Sequence, residues 1–167
     1  MILGLDASTS CCGWALYNGV EILDAGFIDI SKIETNKEKA FHILKTLIPL
    51  PLMGQLTEVK LEAALSGFMG GRTSQQVIIK LARFNAVLEY ILGQQLKVPV
   101  ILVGASTARK KVLGKAFIKG MTAKEYVKVK LIELYPYVKK FEKLNRNGNW
   151  DSHNSDMYDA VICSLFE

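Results

Sequence analysis

Residues 1–13 read MILGLDASTSCCG, and the first half of that stretch decides the fold. Ile2 to Leu5 is a nearly continuous apolar run, the pattern of a strand buried on both faces. The run stops at Asp6, and ASTSCCG supplies turn-forming residues. Trp14 to Tyr17 and Val20 to Ile30, separated by Asn18-Gly19, read as two further strands in a hairpin. Lys37 to Ile48 is an amphipathic helix closed by Pro49 and Pro51. In Glu58 to Glu62 (EVKLE) the residues alternate, Val59 and Leu61 facing one way and Lys60 and Glu62 the other. A long helix over Thr73 to Gln95 follows the glycine loop GFMGGR, and Val98 to Val103 is another strand. Ser106 to Leu113 is a short helix and Thr122 to Tyr135 a basic amphipathic one. The polar loop NRNGNWDSHNS (145–155) leads into a final helix. This order predicts an α/β fold, a mixed five-stranded sheet with helices on both faces.

The chain has 167 residues, half of them hydrophobic, so residues 1–167 are expected to form a single domain with a substantial core. No apolar run reaches the roughly 18 residues that a membrane span requires. The opening residues lack the basic and apolar regions of a secretory signal. Cys11, Cys12 and Cys163 form no CxxC pattern, and only two histidines are present, which argues against a structural zinc site. The cysteines read as small buried hydrophobes in a reducing compartment, and the protein as cytoplasmic.

The acids carry the chemistry. Asp6 ends the first strand and Glu62 the fourth. In α/β sheets, active sites gather at the carboxyl ends of central parallel strands. If those two strands are parallel neighbours, the two carboxylates lie side by side. The last helix begins NSDMYDAVICSLF, with Asp156 and Asp159 three residues apart and therefore on one face. Acids there can simply complement the helix dipole, with Asn154 or Ser155 as the cap. Alternatively they hold a cation, and docking this helix on the same sheet edge would gather four carboxylates. Four carboxylates without a histidine pair select a hard cation, Mg²⁺ or Mn²⁺ rather than zinc. Two such ions roughly 4 Å apart serve phosphodiester cleavage. His153, three residues before Asp156, reads as a capping or solvent-facing residue that could assist a metal water.

The net charge of +5 is unevenly spread. Between Arg109 and Arg146 stand twelve Lys and Arg against three acids, a local net of +9. Such a segment is either a solvated face or a surface that neutralises phosphates. On the second reading Lys110, Lys111, Lys115, Lys119, Lys124 and Lys128 are the candidate phosphate contacts.

Taken together, ILGLDAST with the following GWAL, VKLEAALSGF and SDMYDAVICS resemble the RuvC-type Holliday-junction resolvases of the ribonuclease H-like superfamily. The resemblance spans nearly the whole chain, including TARKKVLGK and GMTAKEYVKVKL before the last acidic pair. It implies a Mg²⁺-dependent endonuclease, a homodimer that cuts a four-way DNA junction. It carries over Asp6, Glu62, Asp156 and Asp159 as catalytic, metal-binding residues. It also carries over Lys124 and one of Arg109 or Lys110 as contacts near the scissile phosphate. The segment LSGFMGGRTSQQ departs from the bacterial pattern: Phe68 is either a wedge against a crossover base or a core contact, and Arg72 a DNA contact. The loop 145–155 is closer to phage and poxvirus versions, which cut a wider range of branched DNA, Y-forks included.

Two other readings compete. DASTSCCGWAL also resembles the first phosphate motif of actin-like ATPases and sugar kinases, though 167 residues hold only one of the two domains they need. A non-catalytic nucleic-acid-binding module of the same fold is the other. Assembly has its own signal: helix 73–95 is apolar around most of its circumference, from Val77 and Ile78 to Ile91 and Leu92. One face covers the sheet, and the second is buried either by a partner or by a larger core.

Overall fold

The computed structural model describes residues 1–50, 53–64 and 74–167. Phe68 and Arg72 lie outside the described residues. Five strands, β1 (Ile2–Ala7), β2 (Cys11–Tyr17), β3 (Ile22–Asp29), β4 (Glu58–Glu62) and β5 (Val100–Val103), form one sheet in the order β3-β2-β1-β4-β5. β1, β2 and β3 run antiparallel in succession, whereas β4 and β5 join β1 in parallel. Among the described residues five α-helices complete the fold: α1 (Asn36–Leu47), α2 (Gln75–Leu96), α3 (Ala105–Leu113), α4 (Ala123–Leu134) and α5 (Asn154–Leu165).

Alternation along the strands splits the core in two. Leu3, Leu5, Cys12, Trp14, Val59 and Leu61 pack on one face against α1 and α2 through Ile43, Leu47, Phe84, Leu88 and Leu92. Ala15, Tyr17, Ile22 and Val103 pack on the other against α3, α4 and α5. The expected mixed five-stranded sheet with helices on both faces is thus the observed architecture.

Most boundaries differ from expectation by a residue or two, and the larger shifts have physical reasons. β2 begins at Cys11 rather than Trp14, because Cys12 and Gly13 continue the ladder to Ala7 and Asp6. The turn is only Ser8–Ser10, and the Ser8 hydroxyl accepts from the backbone N–H of Cys11 at 3.0 Å. β3 starts at Ile22, since the Asn18 carboxamide oxygen accepts from the N–H groups of Val20 and Glu21, both at 2.8 Å, closing a turn. α2 runs from Gln75 behind a Ser74 cap. Both α1 and α4 open with reciprocal capping boxes, Thr35 with Glu38 and Thr122 with Glu125.

Helix α2 is less apolar in context than its composition implies. Only Phe84, Asn85, Leu88, Ile91 and Leu92 are buried, while Val77, Ile79 and Tyr90 face outward. Leu88, which the helical pattern allows on an outer face, is fully buried among the side chains between sheet and helices. A charge there would test folding of the chain, not its assembly.

Helix α5 sits directly on β1 and β2, and two glycines make that possible. A Cβ at Gly4 would lie 2.2 Å from the carbonyl oxygen of Ala160, and one at Gly13 only 2.0 Å from that of Asp156. Missing side chains on neighbouring strands let a helix backbone press onto the sheet. That contact places the start of α5 at the carboxyl end of β1.

Candidate metal centre

β1 and β4 are parallel neighbours with Leu5 opposite Leu61, so the next residue on each strand, Asp6 and Glu62, end side by side. α5 brings in Asp159. One carboxylate oxygen from each of Asp6, Glu62 and Asp159 lies within 4.8 Å of the others. Asp156 falls in a second group instead, with Cys11 and His153, whose ligand atoms meet the same limit. Among the described residues these are the two groups of side chains able to hold a metal ion.

The first group is electrostatically unbalanced. Burial pushes the Asp6 carboxyl well above the usual carboxylate range, and the charges of Glu62, Asp159 and Asp156 push it further. Burial and the Asp159 charge raise Glu62 to about 7, against the pull of Arg109 and Lys124. Burial raises Asp159 as well, although the Arg109 guanidinium opposes the shift. Arg109 donates from Nε at 3.1 Å and Nη2 at 2.9 Å to one Asp159 oxygen. One guanidinium thus faces three carboxylates, and no salt bridge reaches Asp6 or Glu62 among the described residues. A cluster of oxygen donors with uncompensated negative charge suits a hard divalent cation.

A stability consequence follows. Groups whose folded-state pKa lies above the unfolded value take up protons on folding, so their contribution is present at low pH and lost as pH rises. For Glu62 that window runs from its ordinary 4.5 to about 7, worth roughly 3 kcal/mol, and Asp6 and Asp159 act in the same direction. In chelator the melting temperature should therefore fall between pH 5.5 and 8, and Mg²⁺ at pH 8 should restore it. A chelator melting profile that stays flat or rises across this window would contradict the described electrostatics.

The basic segment lies on the same side. α3 and α4 pack against α5. Lys124 Nζ donates to Ser155 Oγ at 2.9 Å and to Asp156 Oδ1 at 3.3 Å, while its side chain stays 64% exposed. Lys110, Lys111, Lys115 and Lys119 are exposed, and Lys128 Nζ sits 4.0 Å above the Trp150 ring. Arg109 is the exception among the basic candidates: its side chain is only 16% exposed and is committed to Asp159.

The loop before α5 is ordered by its own side chains. The Asn154 carboxamide pairs with both backbone groups of Lys143, at 2.9 and 2.8 Å, so it braces the loop rather than capping the helix. Ser155 Oγ donates to the Ser152 carbonyl instead of capping. Glu142 accepts from Trp150 Nε1 at 2.8 Å and from the Tyr158 hydroxyl. Neither Asn154 nor Ser155 therefore caps the helix as a plain dipole-and-cap reading of its acids supposes.

Two contributors escaped the sequence reading. The Asn85 carboxamide donates to the Glu62 carbonyl at 2.9 Å and so ties α2 to the strand end that carries the acid. Its only sequence signal is a polar residue on the buried face of an apolar helix. Lys39 reaches the Thr9 carbonyl and pins the turn that follows Asp6. Its signal is weaker still, since it reads as one of several lysines on α1.

No protein-family model matches the chain, and no curated protein matches it by sequence. Solved structures do match its fold. RuvC of Thermus thermophilus aligns with a TM-score of 0.60 at 17% identity, over 99% of this chain and 91% of that one. The same enzyme in complex with a Holliday junction substrate aligns at 0.61 and 15%, over 99% and 90%. Ydc2, the yeast mitochondrial Holliday junction resolvase, aligns at 0.55 and 14%, over 98% and 75%. At these identities the likeness is one of architecture: the chain has the ribonuclease H-like α/β fold in the form seen in RuvC and Ydc2.

Proposed function

We propose that this protein is a metal-dependent endonuclease that hydrolyses phosphodiester bonds in branched DNA, four-way junctions foremost and Y-forks as a further substrate. The observation that carries this reading is the juxtaposition of Asp6, Glu62 and Asp159 at the shared end of β1 and β4, with Arg109 and Lys124, from a segment of net charge +9, paired to Asp159 and Asp156. Asp6, Glu62 and Asp159 would hold one Mg²⁺ or Mn²⁺, and Asp156, whose charge reaches Asp6, would help hold a second. When bound, such ions supply Lewis-acid stabilisation of the transferring phosphate and a water of lowered pKa.

The chain's own residues do the rest. Lys110, Lys111, Lys115, Lys119, Lys124 and Lys128 would receive the flanking phosphates, countering the repulsion that the three clustered carboxylates exert on DNA. Lys124 stands beside Asp156 with an exposed ammonium, placed to meet the phosphate nearest the acids. Arg109 balances part of the cluster's charge through Asp159 and so positions it. Trp150, stacked by Lys128 at the rim of the pocket lined by Lys124 and Ser155, offers an aromatic face to an unpaired base. Phe68 and Arg72 remain candidates for contacts at the branch point.

The same reading includes a homodimer acting in the cytoplasm, of the kind found in phage. Exposed Tyr90 and Phe41 flank an apolar groove between α1 and α2, lined also by Val87 and Ile91, which a second copy would cover. Tyr90→Asp should shift the protein from dimer to monomer in sedimentation without lowering its melting temperature, because Tyr90 is 68% exposed. A wild-type protein that sediments as a monomer would remove the dimer.

The functional test is cleavage of labelled four-way, Y-shaped and linear duplex DNA in Mg²⁺ and in chelator. Nicking of the branched substrates in Mg²⁺ alone is expected. Absence of nicking on every branched substrate in Mg²⁺ and Mn²⁺ would overturn the reading.

A further inference from the structure

Cys11, His153 and Asp156 form the second cluster of ligand-bearing side chains, drawn from β2 and the start of α5. Its donors differ in kind from the first: a thiol, an imidazole and a carboxylate in place of three carboxylates. Sulfur and imidazole select softer, borderline cations, zinc first among abundant ones, and three protein ligands leave a fourth position open.

The surroundings are built in the manner of a histidine metal ligand. Asp151 Oδ1 lies 3.0 Å from His153 Nδ1 and also accepts from the His153 backbone N–H at 2.9 Å. A carboxylate on one ring nitrogen fixes the tautomer, orients the ring and leaves Nε2 with its lone pair free. The Phe27 ring packs against the imidazole, with 5.3 Å between centroids, and restricts its rotation. His153 and Asp156 are three residues apart at the start of a helix and share a face. The bare Cα of Gly13 lets the Asp156 backbone close onto β2, two residues from Cys11. Alternation sends Cys12 to the opposite face of the sheet, into the core against α1, so only one thiol of the pair reaches this site. The His153 side chain is 37% exposed and gives a path for entry.

We propose that Cys11, His153 and Asp156 are a three-ligand site for Zn²⁺ or a similar borderline cation, and that its occupation withdraws Asp156 from the neighbouring acidic centre. Coordination releases the Cys11 proton to solvent and leaves the oxidation state of every partner unchanged. The second half of the inference rests on the nuclease reading above and makes zinc an inhibitor of Mg²⁺-dependent cleavage. The first half stands without it.

Co²⁺ is the probe, because a thiolate ligand gives it a sulfur-to-cobalt charge-transfer band in the near ultraviolet. The full chain with one equivalent of Co²⁺, under reducing conditions, should show that band. Cys11→Ser should lose it while Cys163→Ala, whose thiol is buried near Glu62, keeps it. His153→Gln, altered at a half-exposed side chain, should weaken Co²⁺ affinity about tenfold or more, which decides the matter even if Cys11→Ser does not fold. No band in the wild type, a band that follows Cys163, or unchanged affinity in His153→Gln would each overturn the site. For the inhibition, Zn²⁺ is titrated into Mg²⁺-driven cleavage with each protein normalised to its own zinc-free rate. Wild type should lose activity at zinc levels that His153→Gln tolerates, and equal sensitivity would overturn the withdrawal of Asp156. A wild type that shows the cobalt band but cuts no DNA would refute the nuclease reading and leave the site standing.

Discussion

Asp6→Asn should reduce Mg²⁺-dependent nicking of a four-way junction by about 10³-fold or more, while junction binding in chelator is kept. The substitution is nearly isosteric, so it leaves the basic surface of α3 and α4 and the docking of α5 intact. It removes one of three carboxylates whose oxygens converge within 4.8 Å. It also removes a carboxylate whose ionised form is disfavoured by burial and by the charges of Glu62, Asp159 and Asp156. The metal-free variant should therefore melt higher than the wild type at pH 8 even as its activity disappears. A residue kept for the fold alone would show the reverse, and stability gained with function lost marks a strained functional position. Glu62→Gln should behave alike. Nicking by Asp6→Asn at near the wild-type rate would remove Asp6 from the catalytic set.

Gly13→Ala should be the most damaging change at a residue with no functional group. The added Cβ would sit 2.0 Å from the carbonyl oxygen of Asp156 and 2.6 Å from the N–H nitrogen of Met157, and both are helix backbone that cannot rotate away. α5 must then lift from β2. Overpacking of this kind costs about 3 kcal/mol or more, which for a chain of this size lowers the melting temperature by roughly 10 °C. Because the same helix carries Asp156 and Asp159, metal binding should fall with stability. Gly19→Ala, at a glycine with open space around it, serves as the contrast; its positive φ makes it cost only about 1 kcal/mol. A Gly13→Ala protein as stable as the wild type would refute the close approach of α5 to the sheet.

Much of this was legible in the sequence because it is written in local pattern. The run ILGL ending at Asp6 and the alternation of EVKLE give both strand ends and their acids, and parallel pairing places the acids together. The spacing of Asp156 and Asp159 gives their common face. What was not legible depends on contacts between distant segments. Asp159 and Asp156 share a helical face yet serve different neighbours, since Arg109 holds one and Lys124 the other. Cys11 and His153 are more than a hundred residues apart, so no spacing motif announces their meeting, and a short count of histidines and cysteines argues against it. Helix α2 misled in the opposite sense: its composition offers apolar residues on most sides, and packing alone shows Leu88 turned inward and Tyr90 outward. Gly4 lies inside the strand run Ile2 to Leu5 and Gly13 in a stretch that reads as a turn, and only the docked helix shows why a side chain is excluded at both.

The central claim is that Asp6, Glu62 and Asp159 hold a hard divalent cation. Mn²⁺ binding followed by the loss of the free-ion paramagnetic resonance signal tests it without reference to any substrate. The account predicts saturable uptake by the wild type at pH 8, weakening toward pH 5.5 as Glu62, with a pKa of about 7, takes up its proton, and near absence in Asp6→Asn and Glu62→Gln. Uptake of Mn²⁺ by both variants with wild-type affinity, or none by the wild type, would contradict it.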